Sequence, residues 1–376
     1  MREGWKYDVL SELVIVINGL WKGKKEPFIN VGVIRNANFN KDITLNYSNI
    51  EYLDVEERQY KTRKLLSGDL IVEKSGGSEK QPVGRTVLFR GEGEFSVSNF
   101  TSILRIKDQN VIIPEFLYKY LLFVYYSGVT KAMQKATTGI HNILFDKFLA
   151  IQIPIPSIVE QERIVSLLDL EFAKIDAIKA NAEKQLQDAK DLFQSALKDL
   201  LTPKEGWEKC KLVEEFDLKS GDYLPSKEQQ GGCVPVYGGN GIAGYHNIFN
   251  LSGEQIIIGR VGALCGNIHY TIGDIWVTDN AFIVKGISTE WNMGYLKYVL
   301  EYLNLNQYAT QSAQPVISNK SMKEVSLFKP SINEQIIIFR KLEQIQSRCL
   351  QLELNMRQTI SLCNDLKQSI LKDIFG

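Results

Sequence analysis

The sequence has no excess charge of either sign. Its 44 lysines and arginines face 44 aspartates and glutamates, so any contact with a polyanion must be a local patch, not a whole-chain field. Segments are nearly as balanced. Residues 1–153 hold 21 basic and 17 acidic residues, 154–203 hold 6 and 9, 204–329 hold 11 and 13, and 330–376 hold 6 and 5. Histidine is scarce: His141, His246 and His269 are scattered and form no cluster with cysteine or acidic residues, which leaves no sequence basis for a metal site or a histidine-centred reaction. The five cysteines are odd in number and lack C-x-x-C spacing. That argues against a disulfide framework or a zinc site and predicts a reducing compartment, the cytoplasm. Long apolar runs are missing too. The stickiest stretch, Phe116 to Val129, includes Lys119, is too short to span a bilayer and reads as a buried helix. The first residues, Met1 to Lys6, lack the apolar run of a signal peptide.

Catalytic signatures are absent as well. There is no N/D-P-P-Y/F run, no G-x-x-x-x-G-K-S/T phosphate loop and no P-D…(D/E)-x-K pattern. Gly239 to Gly244 fits G-x-G-x-x-G, but that pattern binds a dinucleotide only where a strand turns into a helix. Here Tyr245-His246-Asn247 follows, and a tight loop is the reading. No cofactor is expected.

What is present is a repeat. Pro156 to Leu201 returns 174 residues later as Pro330 to Phe375 without a gap, identical at 15 of 46 positions, where composition alone would give about three. Both copies open on Pro-Ser-Ile-x-Glu-Gln and close on Gln-Ser-x-Leu-Lys-Asp. A serine with glutamate three residues on is a capping box, and neither copy holds an internal proline or glycine, so each predicts a helix of about 44 residues, roughly 65 Å. The apolar residues keep a seven-residue rhythm. Leu168, Ile175, Ala182, Ala189 and Ala196 form one seam in the first copy, with Ile178 and Leu192 on the next. Leu342, Cys349, Met356, Cys363 and Ile370 form it in the second, with Ile338, Ile345, Leu352 and Leu366 on the next. Heptads of this kind predict coiled-coil pairing of the two helices, antiparallel because each follows its own globular block.

Those blocks share a plan. Gly4-Trp5 opens one and Gly206-Trp207 the other; Lys119-Tyr120-Leu121-Leu122 is echoed by Lys297-Tyr298-Val299-Leu300. In the first, Val9 to Ile17 reads as a short helix or strand. Strands are expected at 69–72, 85–89 and 102–106, with Ser75 to Ser78 as a loop and a helix opening at Pro114. In the second, strands are expected at 255–259 and 274–278 and a helix at 294–303. The predicted class is α+β: two α/β-type blocks separated by two long antiparallel coiled-coil helices, an internal pseudo-two-fold repeat. The expected boundaries are 1–153 and 204–329 for the globular blocks, 154–203 for a central helical spacer and 330–376 for a distal one. A faithful frame around diverged blocks reads as one scaffold presenting two specificities.

This order of block, long helix, block, long helix resembles the specificity subunit of a type I restriction–modification enzyme. The resemblance runs over essentially the whole length. It rests on the P-x-x-x-E-Q helix entries, on Val234 to Gly241, and on Ile258-Gly259-Arg260-Val261-Gly262 followed by Val277-Thr278-Asp279-Asn280. It implies a non-catalytic subunit in which each block is a target-recognition domain for one half of a split, asymmetric site in double-stranded DNA. It also implies that the helices hold the halves a fixed distance apart. Two modification (methyltransferase) subunits and the restriction (translocase/nuclease) subunits would dock on it, bringing the chemistry that uses S-adenosylmethionine and ATP. Without the resemblance, the same pattern would also fit a coiled-coil scaffold presenting two protein-binding modules.

Base edges are read by side chains able to make directed hydrogen bonds. The candidates in the first block are Lys22, Lys24, Lys25, Arg35, Asn36, Lys74, Ser75, Arg85, His141 and Asn142. In the second they are Tyr237, Asn240, His246, Arg260, Gln311 and Gln314, of which Arg260 is that block's sole arginine and lies between two glycines. Each competes with an ordinary role as a solvated or loop-bracing residue. Glu160, Gln161, Glu334 and Gln335, at the helix entries, are candidates either for capping or for docking partner subunits.

Overall fold

The computed structural model describes residues 4–20, 23–137, 140–310 and 313–376. The chain divides into two compact units, one of residues 1–182 with 358–376 and the other of residues 183–357.

In the first unit, β1 (Lys6–Val9) pairs antiparallel with β12 (Gln152–Ile155), so the block's two ends close on each other. Between them come β2 (Val14–Asn18), β3 (Phe28–Ile34), β4 (Glu51–Glu56), β5 (Leu70–Glu73), β6 (Ser75–Gly77), β7 (Thr86–Leu88), β8 (Phe95–Val97), β9 (Thr101–Ile106), β10 (Gln134–Thr137) and β11 (Ile140–Ile143). They form sheets of order β2-β9-β5-β7, β4-β3-β8 and β10-β11-β6. The run Leu70-Ile71-Val72 is wholly buried because β5 is flanked on both edges and covered by the helix Pro114–Tyr126.

The second unit repeats the scheme. Strand β13 (Glu208–Lys211) pairs with β21 (Ser326–Lys329) as β1 does with β12. The strands β14 (Asp217–Ser220), β15 (Val234–Gly238), β16 (Gly241–His246), β17 (Glu254–Gly259), β18 (Ile268–Ile272), β19 (Trp276–Val277) and β20 (Ala281–Lys285) form sheets of order β14-β20-β17-β18 and β16-β15-β19. Each unit has one parallel pair in the equivalent place, β3 with β8 and β15 with β19.

The expected helices and strands are found, with local corrections. Val9 to Ile17 splits into one helical turn, Leu10–Leu13, and then β2. Ser75–Gly77, expected as loop, is strand β6, because β11 offers it an open edge. The Gly239–Gly244 pattern is the β15–β16 hairpin, so strand follows strand and no helix starts there.

The long helices span Ile158–Leu201 and Ile332–Phe375. Within the first unit, Lys367 pairs with Asp176 at 2.6 Å and Lys179 donates to Asn364 at 3.4 Å. One number rises as the other falls, so the helices run antiparallel. Within the second unit Leu197, Leu201, Ile338 and Leu342 share a core. Leu168, Ile175, Ala182, Ala189, Leu342, Cys349 and Cys363 of the expected first seams are buried. The second seam holds only in part: Ile338 is buried, but Ile178, Leu192 and Leu366 are about half exposed. In the first helix Phe172 and Phe193, four residues beyond seam positions rather than three, pack on the cores instead. Among the described residues no helix is long and apolar enough to cross a membrane.

Candidate nucleic-acid interface

The first unit gathers several of its candidates on the β10-β11-β6 sheet. Register places Asn142 opposite Ser75 and His141 opposite Gly77. The Asn36 amide donates to the Ser75 carbonyl, fastening the 3-10 turn Asn36–Asn38 to the sheet. Lys74 enters beside them; its ammonium donates to Asn18 Oδ1 at 2.9 Å and lies 5.9 Å from the Phe145 ring. Burial lowers the Lys74 pKa. Three buried polar atoms around this sheet have no partner within the described protein: Asn36 Oδ1, Gln134 Oε1 and His141 Nδ1. Each such atom costs about 1–3 kcal/mol, so their grouping around one sheet favours a polar ligand there.

The remaining candidates stand elsewhere. Lys24 and Lys25 have exposed side chains, and their backbone N–H groups donate to Glu56 Oε1 at 2.7 and 2.9 Å. These bonds hold the Glu56 carboxyl below its usual range, the Lys24 bond most. Arg35 is ion-paired with Glu51. Arg85 is not on an exposed loop: its side chain is 7% exposed and binds Glu73 twice, at 2.8 and 2.9 Å. The β5–β7 register, Val72 opposite Thr86, makes the pair. Lys22 and Gln311 lie outside the described residues.

In the second unit the β15–β16 hairpin forms one wall of a cleft of about 690 Å³, with Asn240 at its tip. Tyr223, Thr278, Asp279, Asn280 and Gln314 contribute to the rest. Arg260 stands close by, donating from Nη1 to Ser220 Oγ at 2.9 Å and to the Asp279 carbonyl at 3.4 Å. Tyr237 packs its ring 5.6 Å from that of His269, and burial raises its phenol pKa. His246 is a correction. It is 4% exposed, accepts from the Gln230 N–H and meets Trp276 edge-on, so it braces the sheet. His269 was not singled out from the sequence. Its buried Nε2 has no partner within the described protein, and it lies against Gly241 of the hairpin. The only sequence signal for it is a polar residue at an alternating position of β18.

At the helix entries the two glutamines depart from a docking role. Gln161 and Gln335 are fully buried. Gln161 accepts from the Ile113 N–H at 2.9 Å and donates to the Val111 and Pro156 carbonyls at 2.9 and 3.0 Å. Gln335 does the same with the Asn292 N–H, at 2.8 Å, and the Glu290 and Pro330 carbonyls, at 2.8 and 2.9 Å. Ile113 and Asn292 are the N-cap residues of Pro114–Tyr126 and Met293–Tyr302. Each glutamine therefore staples a long helix to the start of its block's own helix. Glu160 pairs with Arg163 at 2.7 Å, and Glu334 accepts from the Trp207 indole at 3.2 Å. The capping serines are in place, Ser157 and Ser331 accepting from Glu160 and Glu334 N–H at 3.3 and 3.4 Å.

A family model described as the type I restriction modification DNA specificity domain matches residues 3–188 and again 204–362. The specificity subunit of the type I restriction enzyme EcoprrI from Escherichia coli is 31% identical over 251 residues, and the match spans 60% of this chain and 60% of that relative. The StySPI specificity subunit from Salmonella potsdam is 26% identical across 99% of this chain and 89% of its own length. Among solved structures, one from work on complex assembly and conformational transition of the type I R-M system gives a TM-score of 0.79 at 18% identity, covering 99% of this chain and 97% of that one. The HsdS subunit from Thermoanaerobacter tengcongensis gives 0.58 at 18% identity, covering 100% and 97%. At such identity these structures speak to the fold alone.

Proposed function

We propose, from the premise that this chain belongs to the type I restriction–modification DNA specificity family, that it reads a split, asymmetric site in double-stranded DNA with one half per globular unit. The observation that carries this is the repetition of one sheet scheme beneath two different polar surfaces. Residues 1–153 form the first reader, with Asn36, Ser75, His141 and Asn142 at its centre. Residues 204–329 form the second, around Asn240, His269, Asn280 and Gln314. Such side chains can meet base edges, while most contacts of any such reader go to phosphates. Arg85 and His246 are not in the reading set, since each is already committed to the fold.

Residues 154–203 and 330–376 serve as the frame on which methyltransferase and restriction subunits dock. The docking surface is apolar. In the first unit Val159, Leu167, Leu170 and Ile178 are all at least 40% exposed, and at 100° per residue they share one helix face. The buried glutamines of the helix entries are not part of it. Methyl transfer and cleavage belong to the partners, and the subunit supplies the address.

Exchanging residues 1–153 for those of another family member, in cells that supply the methyltransferase, tests both roles. Sequencing the methylated positions is expected to show one half of the split site changed, the other kept, and methylation still efficient. Changes in both halves would overturn the one-reader-per-unit assignment. Loss of all methylation by a folded chimera would place docking in the exchanged block.

A further inference from the structure

One basic residue stands at the same place in both units. Lys74 follows the last residue of β5, and Arg260 follows the last residue of β17. Strand pairing makes them equivalent: Glu73 is opposite Thr101 of β9, and Gly259 is opposite Ala281 of β20. The backbone matches bond for bond. The Lys74 N–H donates to the Phe100 carbonyl at 2.9 Å, and the Arg260 N–H to that of Asn280 at 2.9 Å. Their own carbonyls accept from Ile143 N–H at 2.8 Å and Ile317 N–H at 2.9 Å. Two residues on, Gly76 and Gly262 hold φ of 101° and 100°, a region that favours glycine.

The side chains match as well. Lys74 Nζ donates to Asn18 Oδ1 and Arg260 Nη1 to Ser220 Oγ, both at 2.9 Å. Asn18 and Ser220 end β2 and β14. Each is followed by a glycine, Gly19 or Gly221, where a Cβ would come within 1.8 Å of the Ser98 carbonyl or 2.1 Å of the Val277 carbonyl. Around the cation the units differ. Ser75 and Asn142 bridge beside Lys74, whereas Val261 and Val316 bridge beside Arg260.

A positive charge held in common by two readers of different sequences does not carry the difference between them. What any two half-sites share is the phosphate backbone, which positions a protein without specifying bases. Resting on the DNA-specificity reading above, we propose that Lys74 and Arg260 are equivalent phosphate anchors, one per reader, which set each unit's register while their neighbours read the bases. A phosphate partner would also offset the cost of half-burying the lysine.

Lys74→Gln and Arg260→Gln keep a donor for Asn18 and Ser220 and remove the charge. Binding of the full chain, assembled with its methyltransferase subunits, is measured on the cognate duplex and on a scrambled one between 50 and 200 mM salt. Each variant is expected to weaken both duplexes by the same factor and leave the methylated sequence unchanged. It should lower the slope of log K against log salt by about 0.9, so that the wild type loses about 3.5-fold more affinity than the variant over that range. Lys74→Arg and Arg260→Lys are expected to restore the slope, which separates lost charge from lost folding. A changed base preference in one half-site, a loss confined to the cognate duplex, or an unchanged slope would overturn the proposal. A wild-type assembly that prefers no split sequence would defeat the DNA-specificity reading itself. That result is distinct from a selective wild type whose variants bind as it does.

Discussion

The two globular units share a frame and fill it differently. Both close their ends with one antiparallel pair, both order their main sheet the same way, and both are stapled to a long helix by a buried glutamine. In the first unit Glu73 ends β5 and is locked to Arg85. In the second the same place holds Gly259, where a Cβ would come 2.3 Å from the Gly239 carbonyl. Removing the side chain lets the β15–β16 hairpin approach, and the cleft opens beside it. The first unit has the β10-β11-β6 sheet where the second shows, among the described residues, a single Val261–Val316 bridge. Backbone bonding thus maintains the frame, and a few substitutions at one end of the main sheet change what it presents.

The contrast breaks most sharply at the buried ion pair. Arg85→Ala would leave the Glu73 carboxylate, 2% exposed, without its partner, at a cost of about 3–5 kcal/mol. Replacing both by apolar residues of similar size should cost much less. Denaturant unfolding that separates the two units should show the loss in the first alone. An Arg85→Ala chain as stable as the wild type would mean that the pair is not what distinguishes the units.

The staples test the shared part. Gln161→Ala and Gln335→Ala each remove one accepted and two donated bonds from a fully buried side chain. Each should cost about 3 kcal/mol in its own unit, as buried backbone groups lose their partners. The prediction is near-equality. A difference above about 1 kcal/mol between the two variants would show that the repeat in sequence is not a repeat in energetics.

The frame was legible because it is local. A long helix announces itself through an uninterrupted apolar period, and Leu168, Ile175 and Ala182 are buried as that period requires. Ile178 reads as a seam residue because it is more apolar than its neighbour Lys179, although 3.6 residues per turn let either position face inward. Ile178 belongs to the exposed stripe instead. Arg85 was misread for a different reason: its partner lies 12 residues away, and only the β5–β7 register brings them together. Gln161 and Gln335 were visible as a motif, but whether a repeated Glu-Gln caps, staples or docks depends on backbone groups about 45 residues upstream. Lys74 and Arg260 were each visible as cations. Their equivalence depends on strand register, since Glu73-Lys74-Ser75 and Gly259-Arg260-Val261 share no residue.

The smallest expected effect concerns pH and should fall on the second unit. Burial lowers the His269 pKa, so the folded imidazole resists protonation while the unfolded one takes up a proton near pH 6.5. The unfolded state then binds more protons as pH falls through that value. Stability attached to His269 is therefore whole above about pH 6.5 and declines on acidification. Because Nε2 has no hydrogen-bond partner in the described protein and the ring packs beside Tyr237, His269→Phe should keep the packing and remove the proton linkage. Melting of the second unit between pH 7.5 and about pH 5.5 should be flatter in the variant, by on the order of one degree in Tm. Equal slopes in variant and wild type would show that His269 is protonated as readily folded as unfolded, and that the hairpin leaves it open to water.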